Sequence, residues 1–227
     1  MQRKHLAERD QWEYHSSQIQ FPAWEILTPR PLLWLSGPER SPGISWVSSF
    51  SVDLIDALSA GENFVSAYIF CSSDNTELNL TPVEILQRLI ISILLSFPQI
   101  TISHISLLSI RRFQEVGQSG FKAWELLKEI LEIVQDIMVE KSQELYIIID
   151  RLDLCTSDEV FGIQKQLIPR LQEISQRWRN TRVVLSSTVM VERVGTLRSE
   201  EGWLKNVWLD TGCAVSMDDA DVYDDWD

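Results

Sequence analysis

Residues 145–155 read Leu-Tyr-Ile-Ile-Ile-Asp-Arg-Leu-Asp-Leu-Cys. Five apolar residues in a row, rich in β-branched side chains, predict a short strand buried on both faces, as in a parallel sheet covered by helices. The run stops abruptly at Asp150, so a carboxylate stands at the carboxyl end of that strand. In open parallel sheets ligands bind beyond the carboxyl ends of the strands, which makes Asp150 and the acid three residues later, Asp153, the first candidate site residues.

Working outward, four further stretches read as strands. Leu32-Leu33-Trp34-Leu35-Ser36 is a continuous apolar run that stops at Gly37-Pro38, and Arg182-Val183-Val184-Leu185-Ser186 predicts another buried strand. Phe64–Phe70 is a strand of aromatic and β-branched residues, and Asn206–Leu209 predicts a last one. Between them lie helical patterns. Ile44–Leu58 has apolar residues at 47, 50, 54, 55 and 58. Thr81-Pro82-Val83-Glu84 has the form of a capping box with proline in the first turn, opening a helix that Pro98 ends. Residues 99–118 predict a short helix and a loop. Residues 121–140 form a long amphipathic pattern. Thr156-Ser157-Asp158-Glu159 opens a helix reaching Trp178, broken or kinked near Pro169. Strands alternating with helices predict an α/β fold, a mainly parallel sheet flanked by helices in three α/β/α layers.

Composition bounds the rest. The chain has 227 residues, 44% of them hydrophobic, enough for one sizeable core. Its formal charge is −13, and six aspartates crowd the last ten residues; without them the remainder carries −7. Neither figure suits a general nucleic-acid binder, which needs surplus Lys and Arg to displace counterions. The three cysteines (Cys71, Cys155, Cys213) are odd in number and far apart, and the three histidines are scattered, so a disulfide framework and a Cys/His zinc site are both disfavoured. No apolar run reaches membrane-spanning length; the most hydrophobic stretch, Leu89–Leu95, is too short. The expectation is a cytoplasmic chain organised as a polar and aromatic lead-in (1–30), an α/β domain (31–212) and an acidic tail (213–227).

Three strand ends converge on one edge. The first leads into Gly37-Pro38-Glu39-Arg40-Ser41-Pro42-Gly43-Ile44-Ser45 and then a helix, the topology of a loop whose backbone amides and helix N-terminus face a phosphate. The second carries Asp150 and Asp153, the form of a strand that holds Mg²⁺. The third ends at Ser186-Ser187-Thr188, where a polar side chain can sense a terminal phosphate.

In that order the elements resemble the P-loop NTPase module of the NACHT-like, nephrocystin-type signal-transduction ATPases (the STAND class), abundant in fungal proteins of the NOD-like receptor kind. Leu32–Ser45 is similar to the Walker A segment and Leu145–Cys155 to the Walker B segment. Leu167-Ile168-Pro169-Arg170-Leu171 resembles the helix that follows, and Arg182–Thr188 the strand that usually ends in Thr-Ser-Arg. The resemblance implies ATP or GTP with Mg²⁺ as ligands, Gly37, Arg40, Gly43, Ser45, Asp150 and Asp153 as residual nucleotide contacts, and Ser45 with Asp150 as the metal pair.

The departures weigh against turnover. Pro38 and Pro42 lack amide donors. Ile44 stands where a lysine reaches the β- and γ-phosphates, a loss of about 1.5–3 kcal/mol, roughly ten- to hundredfold in affinity. Leu154 replaces the glutamate that orients the attacking water, and Thr188 replaces an arginine. Arg40 is the candidate substitute cation; its alternative is a solvent-facing loop side chain. The expectation is a degenerate domain with no required cofactor and no catalytic residues, acting through protein partners; the alternative is a nucleotide switch or slow NTPase using Arg40, Ser45 and Asp150.

Overall fold

The computed structural model describes residues 32–36, 46–71, 80–104, 106, 108–155, 162–188, 204–209 and 214–216. Six strands form one sheet: β1 (Leu32–Ser36), β2 (Phe64–Phe70), β3 (Glu144–Asp150), β4 (Thr181–Ser187), β5 (Leu204–Leu209) and β6 (Ala214–Ser216). Their order is β2-β3-β4-β1-β5-β6. The first five run parallel, and β6 pairs antiparallel with β5. No local pattern announces β6, which falls in the stretch expected as tail.

The order has a mechanical meaning. From β1 the chain travels over β4 and β3 to β2 at the sheet edge, returns through β3 and β4, and then crosses β1 to reach β5. The carboxyl end of β1 is thus where successive connections diverge to opposite sides, the place at which open α/β sheets leave a crevice.

Side-chain alternation divides the interior in two. On one face Leu32, Trp34, Ala67, Ile69, Leu145, Ile147, Ile149, Val183 and Leu185 join the larger core under the helices α2 (Pro82–Ser96), α5 (Gly120–Lys141) and α6 (Ile168–Arg177). On the other, Leu35, Tyr146, Ile148 and Val184 pack against Val47, Phe50, Leu54 and Leu58 of α1 (Trp46–Ser59). The result is the three-layer α/β/α arrangement. β3 is buried along almost its whole length, as a central parallel strand must be.

Helix ends follow their local chemistry. Thr81 accepts from the Glu84 amide at 3.2 Å, and the Glu84 carboxylate accepts from the Thr81 amide at 2.7 Å, a complete capping box. Pro98 ends α2 but also opens α3 (Pro98–Ser103), because a missing amide costs nothing in a first turn. The ambiguous stretch after it holds a second helix, α4 (Ile110–Gln118), packed on α2 and α5. The break expected near Pro169 is a π-turn over Ile163–Leu167 that passes into α6. A proline there cannot donate to the preceding turn, and the wider turn accommodates it. The capping sequence at 156–159 lies outside the described residues. Among the described residues no helix is long and apolar enough to cross a membrane.

Candidate functional site

Asp150 ends β3 on the face covered by α1 and is fully buried. Three hydroxyls hold its carboxylate. Ser48 donates to Oδ2 at 2.7 Å; Ser51 and Ser186 donate to Oδ1 at 2.8 and 2.5 Å. Ser48 and Ser51 lie three residues apart on α1, so one helix face presents both. Ser186 comes from β4 and also accepts from the Arg151 amide at 3.1 Å. Burial pushes the Asp150 carboxyl above the usual carboxylate range, with the Ser186, Ser48 and Ser51 hydrogen bonds and the charge of Arg151 pulling the other way.

The chain then turns sharply. Arg151 has φ 57° and ψ 49°, a left-handed conformation unusual for a residue with a Cβ. The turn leads into a short 3₁₀ segment, Leu152–Leu154, and places the Arg151 guanidinium against Asp153: Nε lies 3.3 Å from both carboxylate oxygens and Nη2 lies 3.2 Å from Oδ2. The two side chains are only 7% and 8% exposed, so this ion pair is largely desolvated. Thr188, just beyond β4, completes the arrangement: its amide donates to Asp153 Oδ1 at 3.2 Å and its hydroxyl to Oδ2 at 2.8 Å. A second polar link ties β4 to β1, where Trp34 Nε1 donates to Ser187 Oγ at 3.0 Å and the Ser36 and Ser187 hydroxyls lie 3.0 Å apart.

Two of the sequence-derived candidates, Asp150 and Asp153, thus lie at one strand end but in separate hydrogen-bonding shells. Gly37, Arg40, Gly43 and Ser45 lie outside the described residues, as do Pro38, Pro42 and Ile44. Leu154, where the resemblance places a glutamate, packs against the larger core. Thr188, where it places an arginine, is a ligand to Asp153. Ser186 belongs to a strand end that the sequence singled out for a phosphate, not for Asp150. Three residues were missed by sequence reasoning. Ser48 and Ser51 belong to a helix whose apolar pattern alone drew attention. Arg151 was legible as a lone cation between two acids, though its backbone conformation was not.

The two described cysteines flank this region. Cys71 follows β2, its amide donating to the Asp150 carbonyl at 2.9 Å, and Cys155 ends the 3₁₀ turn. Burial pushes both thiols up, that of Cys155 to about 12. At neutral pH both are therefore protonated and poorly nucleophilic. No group of three or more His, Cys, Asp or Glu side chains suited to a metal occurs among the described residues.

Five parallel strands in the order β2-β3-β4-β1-β5, with helix α1 following β1 in the chain and an acid ending β3, define a P-loop NTPase-type domain. The family described as "Nephrocystin 3, N-terminal" matches residues 11–188, and the chain belongs to that family. A search of curated proteins finds no match. Among solved structures, chains of the Drosophila ORC bound to DNA and Cdc6 are similar at 12–15% identity. With AT-rich DNA the TM-score is 0.43, and with GC-rich DNA it is 0.46. A chain from the structure of C. elegans PCH-2 matches at 10% identity and TM-score 0.31. Each similarity covers 92% of this chain, which spans 58% and 59% of the two ORC chains and 44% of the PCH-2 chain. The fold rests on the strand order and the family match.

Proposed function

We propose that this is a degenerate, non-hydrolysing NACHT-like domain that acts in the cytoplasm as a regulatory or protein-interaction module. The observation that supports this most is the state of the two acids. In a working site of this class acids at this strand end serve Mg²⁺ and nucleotide. Here Asp150 spends its carboxylate on three serine hydroxyls, and Asp153 is neutralised by Arg151 and held by Thr188. Neither acid needs a metal to be satisfied. Ile44, Leu154 and Thr188 at the positions of lysine, glutamate and arginine point the same way, since all three missing groups act on the γ-phosphate.

The rival is a nucleotide switch or slow NTPase in which Arg40 replaces the lysine and Ser45 with Asp150 holds Mg²⁺. Calorimetric titration with ATP and GTP, with and without Mg²⁺, separates the two, together with a phosphate-release assay. The proposal expects no turnover and no micromolar binding. Micromolar, Mg²⁺-dependent binding would overturn the scaffold reading, and hydrolysis abolished by Arg40→Ala would establish the enzyme. Ile44→Lys restores affinity only if the loop still forms a phosphate cradle despite Pro38 and Pro42.

A further inference from the structure

The face of the sheet that carries α1 is incompletely covered. Ala67 and Ile69 of β2 point into the larger core, so Phe64, Tyr68 and Phe70 point to the other side, where α1 is the packed helix. Phe64 and Tyr68 are 40% and 47% exposed on this edge strand. They do not stand alone: Phe64 meets Tyr146 edge to face at 5.8 Å, and Tyr68 meets Phe70 at 6.0 Å. The apolar surface continues around the sheet edge onto α2, where Ile91 and Leu95, one turn apart, are 50% and 77% exposed. Ser92 and Ser96 of the same helix join the two parts, Ser92 Oγ accepting from the Tyr68 amide at 3.2 Å and Ser96 donating to the Ser66 carbonyl at 3.2 Å.

Those serine contacts restrict what can dock. A partner adding a strand would need the outward main-chain groups of β2, and α2 already engages two of them. A partner using side chains alone, such as an amphipathic helix laid across the aromatic strip, meets no such obstacle.

The electrostatics select its sign. From residue 41 to residue 87 the chain contains no Lys, Arg or His. Within that span α1 exposes Asp53 and Asp56, and the turn into β2 exposes Glu62. On the same sheet face Arg182 is paired with Glu144 at 3.3 Å. Arg88, one turn before Ile91 on α2, is an exposed cation at the α2 side of the strip, with the acid Glu84 one turn before it. An aromatic strip on the sheet face packed by α1, a helix whose exposed charges among the described residues are acidic, suits a basic partner and repels nucleic acid and anionic lipid.

From the aromatic strip on β2, its continuation on α2 and the acidic border of α1, we infer that this edge is a docking surface for a basic amphipathic helix of a protein partner. The inference deepens the interaction-module reading, but its test does not involve nucleotide, so the two fail separately. The probe is a fluorescein-labelled 18-residue peptide of lysines and leucines in helical register, read by anisotropy against the full chain, with a glutamate-for-lysine peptide, a DNA duplex and anionic phospholipid vesicles beside it. Binding of the lysine peptide is expected, with no binding of the other three. Tyr68→Ser and Leu95→Ser, each checked for an unchanged thermal transition, weaken it about tenfold. Asp53→Lys/Asp56→Lys weakens it comparably, whereas Asp136→Lys/Glu140→Lys, an equal charge change on exposed positions of α5, leaves it within twofold. If the α5 pair weakens binding as much as the α1 pair, the attraction is only that of net charge and the inference falls. It falls equally if neither apolar substitution matters, or if DNA or vesicles bind as well as the peptide.

Discussion

Arg151→Ala tests whether the ion pair with Asp153 is a structural lock. The guanidinium lies 3.2–3.3 Å from the carboxylate with both side chains over nine-tenths buried. At an effective dielectric of about 20, two charges at that separation attract by about 5 kcal/mol. Removing one partner of a buried pair costs about 3–5 kcal/mol because the other charge stays behind. Thr188 still donates two hydrogen bonds to Asp153, which places the expected loss near the lower end, about 3 kcal/mol. With a urea slope of about 3 kcal/mol/M for a chain of this size, the midpoint falls by about 1 M. Two companions sharpen the reading. Arg151→Gly recovers about 1 kcal/mol relative to alanine, because only glycine adopts φ 57° without strain. Arg151→Ala/Asp153→Asn is less destabilised than the sum of its single substitutions by about 1.5 kcal/mol or more, since the second change removes the stranded charge. A loss under about 1 kcal/mol for Arg151→Ala, or additive single effects, would refute the buried-lock argument.

Ser51→Ala removes one donor to a carboxylate with no access to water and is expected to cost about 1–3 kcal/mol in urea melts, whereas Ser49→Ala on the same helix costs less than about 0.5 kcal/mol. Arg112 holds the Glu129 carboxylate below its usual range, chiefly by a hydrogen bond. The stability this pair contributes is fully present above the unfolded glutamate pKa and fades as pH falls through the lower folded value, so the gap between wild type and Glu129→Gln closes in acid, by melting curves from pH 7 to pH 3. In a Cys213→Ser variant a disulfide-exchanging reagent at pH 8 leaves Cys71 and Cys155 unmodified until urea unfolds the chain; modification of the native protein would contradict their burial.

The parts of the fold written in local pattern were legible. Leu145–Asp150 is a strand because a continuous apolar run has nowhere to go but a covered sheet, and Thr81–Glu84 starts a helix because its capping contacts lie three residues apart. What lay beyond reach was pairing at long range. Ser48 and Ser51 meet Asp150 across about a hundred residues, and a serine inside an amphipathic helix carries no mark of its partner. The left-handed turn at Arg151 was equally hidden, since its reward, the contact with Asp153, exists only once the 3₁₀ turn folds it back. β6 is three residues long and depends on Val207–Leu209 for every ladder bond, so no periodicity announces it.

The same residues bear on the proposed loss of turnover in a domain that keeps its fold. Two carboxylates at one strand end are a burden when no metal sits between them: each is desolvated, and each repels the other. A protein that merely lost its lysine and glutamate would keep that cost. Here each acid has its own answer, neutral hydroxyls for Asp150 and a guanidinium for Asp153, and both answers fasten β3 to its neighbours, α1 and β4 in the first case and the residue beyond β4 in the second. On the proposed non-hydrolysing reading, turnover therefore requires more than Ile44→Lys and Leu154→Glu. Arg151 would have to release Asp153, and the serines would have to yield a lone pair of Asp150 to water. An Ile44→Lys/Leu154→Glu variant that hydrolysed ATP with Arg151 in place would show that these contacts hold the acids too weakly to matter; one that gained activity only on adding Arg151→Gly would identify the ion pair as the barrier.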